Sequence, residues 1–186
     1  AAKVITLGEG TVSAADVNTF RIETPNLTIA GAGVDKTVIN TGDFAISGQA
    51  GVLIAADNVT VRDLAVVSNN PGASGAAIKV TKIGTAEELP AVKNVTIANV
   101  SVKTIEAGFG LNLHGVEGAT VTNVTVESSK KASVSIASAS DVEIDQLTTG
   151  TNDWNCDIYF PYNAANVAAY GKASEVTFGE LTLANG

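Results

Sequence analysis

Apolar and polar positions recur along the chain in one eight-residue pattern: apolar, polar, apolar, two turn-like residues, apolar, polar, apolar. It begins at Leu27 (LTIAGAGV), Val59 (VTVRDLAV), Val95 (VTIANVSV), Ala119 (ATVTNVTV), Val142 (VEIDQLTT) and Val176 (VTFGELTL). Successive starts are 32, 36, 24, 23 and 34 residues apart. The two shortest offsets define a unit, and the longer ones add an insertion of roughly ten residues, where repeat architectures place loops. Upstream of the pattern lies a further short strand in five units: Leu53–Ala55, Ala77–Val80, Leu111–Leu113, Val134–Ile136 and Ile158–Phe160. Alternation with period two marks each segment as a strand with one buried face. One such unit cannot bury its apolar side alone, but stacked units share a column of Val, Ile and Leu.

The turn between the second and third strands carries Asn99, Asn123 and Gln146 at matched positions, with Asp63, Glu180 and Gly31 in the other units. Asn tolerates the left-handed backbone that a tight corner needs, and stacked amides can bond along the column. The segments NVTIANVSV (94–102), GATVTNVTV (118–126) and NLTIAGAGVDKTVIN (26–40) resemble those of the pectin-lyase-like superfamily. That resemblance covers about Val4 to Leu183 and implies an all-β fold: a single right-handed parallel β-helix of about seven rungs, with three short strands each. It implies no particular activity, because the superfamily includes lyases, hydrolases, esterases, adhesins and non-catalytic binding modules.

The chain reads as one domain over residues 1–186, with residues 1–19 as an N-terminal cap in which Ser13 starts a short helix. No matching cap follows Leu181–Leu183. This predicts either a longer parent protein, or further chain or self-association at the C-terminal edge.

Composition narrows the partners. Net charge is -8, from 11 Lys+Arg against 19 Asp+Glu, which argues against a nucleic-acid binder. No apolar run is long enough to cross a bilayer as a helix, so membrane insertion is not expected. Aromatic residues are 5%, so the core must be aliphatic. Cys156 is the one cysteine, which excludes an internal disulfide and reads as a small buried hydrophobe. Five Asn-X-Ser/Thr triplets, at Asn26, Asn58, Asn94, Asn99 and Asn123, arise from the repeat itself. Asn99 and Asn123 sit at corner positions that make poor glycan acceptors, so the triplets are not evidence for a eukaryotic secreted origin.

The chain lacks the motifs that the resemblance would bring with pectate lyases, polygalacturonases or pectin methylesterases. There is no Asp-Asp pair; the one His, His114, lies in Leu-His-Gly; the only arginines are Arg21 and Arg62. Glu143 and Asp145 share the outward side of one strand, and Asp153 and Asp157 flank Trp154. Either pair offers oxygens to calcium, though fewer than a full shell, so no cofactor is required. The first-strand face is the better ligand site. With Ile78, Leu111, Leu113, Val134, Ile136, Ile158 and Phe160 inward, Lys79, Asn112, His114, Ser135 and Tyr159 point outward. At about 4.8 Å per rung, Lys79, Asn112, Ser135 and Tyr159 form a row roughly 14 Å long, beside a loop bearing Trp154. Polar donors next to aromatic rings suit a polysaccharide or cell-wall glycan.

The expected function is therefore a non-catalytic extracellular or cell-surface module that binds polysaccharide or serves as surface-layer or adhesin structure. The rival is a polysaccharide lyase or related pectin-degrading enzyme acting on acidic glycans. Thr60, Thr96, Thr120 and Thr177 on one face, with Ser101, Thr125, Thr148 and Thr182 on the next, resemble an ice-binding array. Arg62, Glu143 and Asp145 interrupt it, which makes ice binding a minor alternative.

Overall fold

A computed structural model describes residues 2–13, 19–41, 50–70, 74–82, 91–161 and 173–185. In chain order its strands are β1 (Lys3–Thr6), β2 (Gly10–Ser13), β3 (Phe20–Ile22), β4 (Leu27–Ala30), β5 (Thr37–Thr41), β6 (Ala50–Ile54) and β7 (Val59–Ser68). There follow β8 (Ala76–Val80), β9 (Val92–Thr104), β10 (Phe109–Ser129), β11 (Val134–Asn152), β12 (Ile158–Tyr159), β13 (Ser174–Phe178) and β14 (Leu181–Thr182). All fourteen belong to one sheet, every recorded pairing is parallel, and no helix occurs among the described residues. The arrangement is consistent with a parallel β-helix. The helix expected after Ser13 falls on residues 14–18, outside the described residues; Ser13 itself ends β2.

The chain visits three stacks in turn. In face A, β3, β6, β8, the start of β10, the start of β11 and β12 lie side by side. Face B holds β1, β4, the first halves of β7 and β9, the middles of β10 and β11, and β13. Face C holds β2, β5, the later halves of β7 and β9, the ends of β10 and β11, and β14. Register follows the repeat residue by residue. On face B, Ile5, Ile29, Val61, Ile97, Val121, Ile144 and Phe178 form one line. Its interior members, Ile29 to Ile144, are at most 1% exposed. Residues from all three faces meet in a single aliphatic cluster, which the low aromatic content required. Apolar surface remains open where the stacks end, at Val4, Ile5 and Val12 on one side and Phe178 on the other.

Corners are where the backbone must turn without ladder partners. At the corner from face B to face C, Asn99 Nδ2 donates to Asp63 Oδ1 at 2.6 Å and Asn123 Nδ2 to Asn99 Oδ1 at 3.1 Å. Asp63, Asn99, Asn123 and Gln146 all have φ between 50° and 59° there, as that turn demands. A second amide ladder occupies the corner from face A to face B, where Asn58 Nδ2 donates to Asn26 Oδ1 at 3.2 Å and Asn94 Nδ2 to Asn58 Oδ1 at 3.0 Å. This second ladder explains three of the five Asn-X-Ser/Thr triplets. Its signal was the shared flank NLTI, NVTV and NVTI at Asn26, Asn58 and Asn94.

Candidate functional site

Face A brings the expected row together. Asn112 pairs with Lys79 on one side and Ser135 on the other, and Ser135 pairs with Tyr159. The row is not an open groove. Lys79 is 5% exposed, Asn112 4% and Ser135 2%. Ser74, in the insertion before β8, lies over it: Lys79 Nζ donates to Ser74 Oγ at 3.0 Å and Asn112 Nδ2 to Ser74 O at 3.0 Å. The expectation of a solvent-facing row is thus corrected. Pointing away from the shared core is not pointing to water where a residue such as Ser74 lies over the strands. Burial pushes the Lys79 ammonium below its ordinary pKa. His114 is half-buried at the next outward position and pairs in register with Ala137.

The wet part of this face is aromatic. Trp154 is 47% exposed, while Phe109 beneath it is buried. The Trp154 ring meets Phe109 edge-on at 5.4 Å and Tyr159 edge-on at 5.5 Å; Phe109 and Tyr159 stack at 6.4 Å. Lys131 Nζ lies 5.1 Å from the Phe109 centroid, and burial pushes its pKa down. Indole and phenol are therefore held in fixed relative orientation by contacts that edge-to-face geometry favours.

A buried carboxylate clamps the loop that carries Trp154. Asp157 is 1% exposed. Its Oδ1 accepts from Asn152 Nδ2 at 2.9 Å and Ser133 Oγ at 3.1 Å, and its Oδ2 accepts from Asn185 N at 2.7 Å. Asn152 Oδ1 in turn accepts from Cys156 N at 2.9 Å. Burial alone would raise the Asp157 carboxyl, but bonds from Asn185, Thr149 and Ser133 outweigh it and hold the pKa below the usual carboxylate range. Of the two acidic residues that flank Trp154, Asp157 is thus surrounded by hydrogen-bond donors, and Asp153 Oδ2 lies 3.4 Å from Lys130 Nζ.

Other sequence expectations fare variously. Phe160 does not turn inward; it follows β12 and is 49% exposed. Cys156 is half-buried against a small cluster of Ala76, Phe109 and Ala132. Glu143 is exposed, but Asp145 Oδ1 accepts from Glu180 N at 2.9 Å, so that pair is split between solvent and a corner bond. No group of three or more His, Cys, Asp or Glu gathers as a metal site among the described residues. The threonines of face B do line up, Thr60 with Thr96, Thr120, Glu143 and Thr177.

No protein-family model matches the chain, and no curated protein matches it in sequence. Among solved structures it is similar to one from Parabacteroides merdae described as a "putative glycosyl hydrolase". The TM-score is 0.67 at 12% identity, over 97% of this chain and 82% of that one. At that identity the likeness extends to the fold alone.

Proposed function

We propose that the chain is a right-handed parallel β-helix of the pectin-lyase-like kind, about seven turns long, that acts outside the cell or on its surface as a non-catalytic polysaccharide-binding module. The observation that carries this reading is Trp154: a half-exposed indole braced by Phe109 and Tyr159 on a loop clamped by Asp157. Sugar rings present C–H faces that stack on such a surface, and rigidity lowers the ordering cost of binding. The name of the Parabacteroides merdae structure favours a second reading, in which the chain cleaves glycans.

Affinity electrophoresis against neutral and acidic polysaccharides, run beside assays for new reducing ends and unsaturated products, separates the two. Retardation without product, lost in Trp154→Ala, is expected. Product formation, or retardation unchanged in Trp154→Ala, would overturn the module.

A further inference from the structure

The amide ladder at the corner from face A to face B is interrupted, and an open depression lies at the interruption. In this ladder each Nδ2 donates toward the N-terminal side and each Oδ1 accepts from the following unit. The next ladder position after Asn94 is Gly118, which has no side chain to donate. A Cβ built on Gly118 would lie 3.0 Å from Asn94 Oδ1, so that amide oxygen faces the place where the missing rung belongs. Beyond the gap the same corner position is held by Asp141, whose carboxylate accepts and cannot donate.

The result is an open depression of about 320 Å³ lined by Asn94, Thr96, Gly118, Thr120, Asp141 and Glu143. Two carboxylates and an amide oxygen are acceptors; only the threonine hydroxyls can both accept and donate. The volume is at the lower end for small-molecule sites. What fits must supply the donors that the ladder lacks and offset two negative charges. It must also offer hydroxyls to Thr96 and Thr120, which lie side by side in register.

We propose that this gap binds a protonated amino sugar, with its ammonium between the Asn94 amide oxygen and the Asp141 and Glu143 carboxylates. A neutral sugar supplies the hydroxyls but no charge; a bare cation supplies charge but leaves the threonine hydroxyls to water. The site lies on face B and is independent of Trp154 and of the polysaccharide reading attached to it.

The decisive variant is Gly118→Asn. Gly118 has φ 77°, and Asn occupies the equivalent left-handed position in three other units. The new amide would donate to Asn94 Oδ1, after a shift of a few tenths of an ångström, and would fill the gap while leaving both carboxylates in place. Amide chemical shifts of the full chain are followed during titration with glucosamine at neutral pH, with glucose, N-acetylglucosamine, calcium chloride and oligolysine in parallel. Saturable shifts at Thr96, Thr120 and Glu143 are expected with glucosamine, about tenfold stronger than with glucose or N-acetylglucosamine. They should vanish in Gly118→Asn and persist in Trp154→Ala. Should Gly118→Asn fail to fold, the exposed substitution Glu143→Gln decides, with an expected loss of about tenfold. Wild-type binding in a folded Gly118→Asn, or in Glu143→Gln if that variant decides, overturns the proposal. Equal affinity for glucose or N-acetylglucosamine, or stronger binding of calcium or oligolysine, does the same.

Discussion

Faces A and B are built from the same repeat, in the same parallel register, over one shared interior, yet they present opposite surfaces. On face A the outward residues Lys79, Asn112 and Ser135 are nearly inaccessible, and contact with water passes to Trp154 and Tyr159. On face B the outward residues Thr60, Thr96 and Thr120 are half-exposed, and Glu143 and Thr177 are exposed. The difference lies in the connections. Above face A, the segment before β8 lays Ser74 over the row. Beside face B, the amide ladder through Asn26, Asn58 and Asn94 closes the corner and leaves the threonines in contact with water. The parallel register therefore sets which residues share a line, and a connecting residue such as Ser74 sets whether a line meets solvent.

Core truncation tests the shared interior and should have the largest effect. Ile136→Ala on face A and Ile144→Ala on face B, both fully buried, should each cost about 2–5 kcal/mol in denaturant unfolding. A large inequality would mean that the two faces do not rest on one core.

Asp157→Asn should cost about 2–3 kcal/mol, because the added NH2 faces donors in a site built for an acceptor. Trp154 fluorescence should become more quenchable as the loop loosens. The same group sets an acid limit. Its folded pKa is below the unfolded value of about 3.9, so its contribution is complete above that value and is lost as pH falls through the folded pKa. Thermal midpoints of the wild type should drop below about pH 4, and those of Asp157→Asn should drop less.

Asn58→Ala and Asn99→Ala each remove two side-chain hydrogen bonds, at different corners. Each should cost about 1–2 kcal/mol by thermal unfolding, through lost bonds and a strained left-handed Ala. Asn99→Gly should recover part of the loss by relieving the backbone. The smallest pair compares the outward surfaces directly. Asn112→Ala under Ser74 should cost about 1 kcal/mol, whereas Thr120→Ala on the open face should stay within about 0.5 kcal/mol. Equal costs would remove the distinction between roofed and bare faces.

The strands, their parallel registers and the row through Lys79, Asn112, Ser135 and Tyr159 were legible because a period-two pattern repeated at fixed offsets leaves one way to stack. The ladder through Asn99 and Asn123 was legible for the same reason. The ladder through Asn26, Asn58 and Asn94 carries the same kind of flank, but its register is set by units 32 and 36 residues apart, and only the stacked strands bring the three amides into contact. A third polar line was missed as well: Thr41, Ser68 and Thr104 stand side by side and buried where face C ends, with Ser129 beside Asn152. They close the backbone of the last corner, as when Thr104 Oγ1 accepts from Lys130 N at 3.0 Å. Its signal was a Ser, Thr or Asn ending each third strand.

Sequence alone determined the line on which each side chain stands, since alternation and repeat length are local properties that survive any arrangement of the loops. Only the tertiary structure decided that Asp157 is a buried clamp, that Phe160 faces water and that Ser74 roofs Lys79. The clamp and the roof depend on hydrogen bonds between residues far apart in the chain, and local alternation carries no record of them.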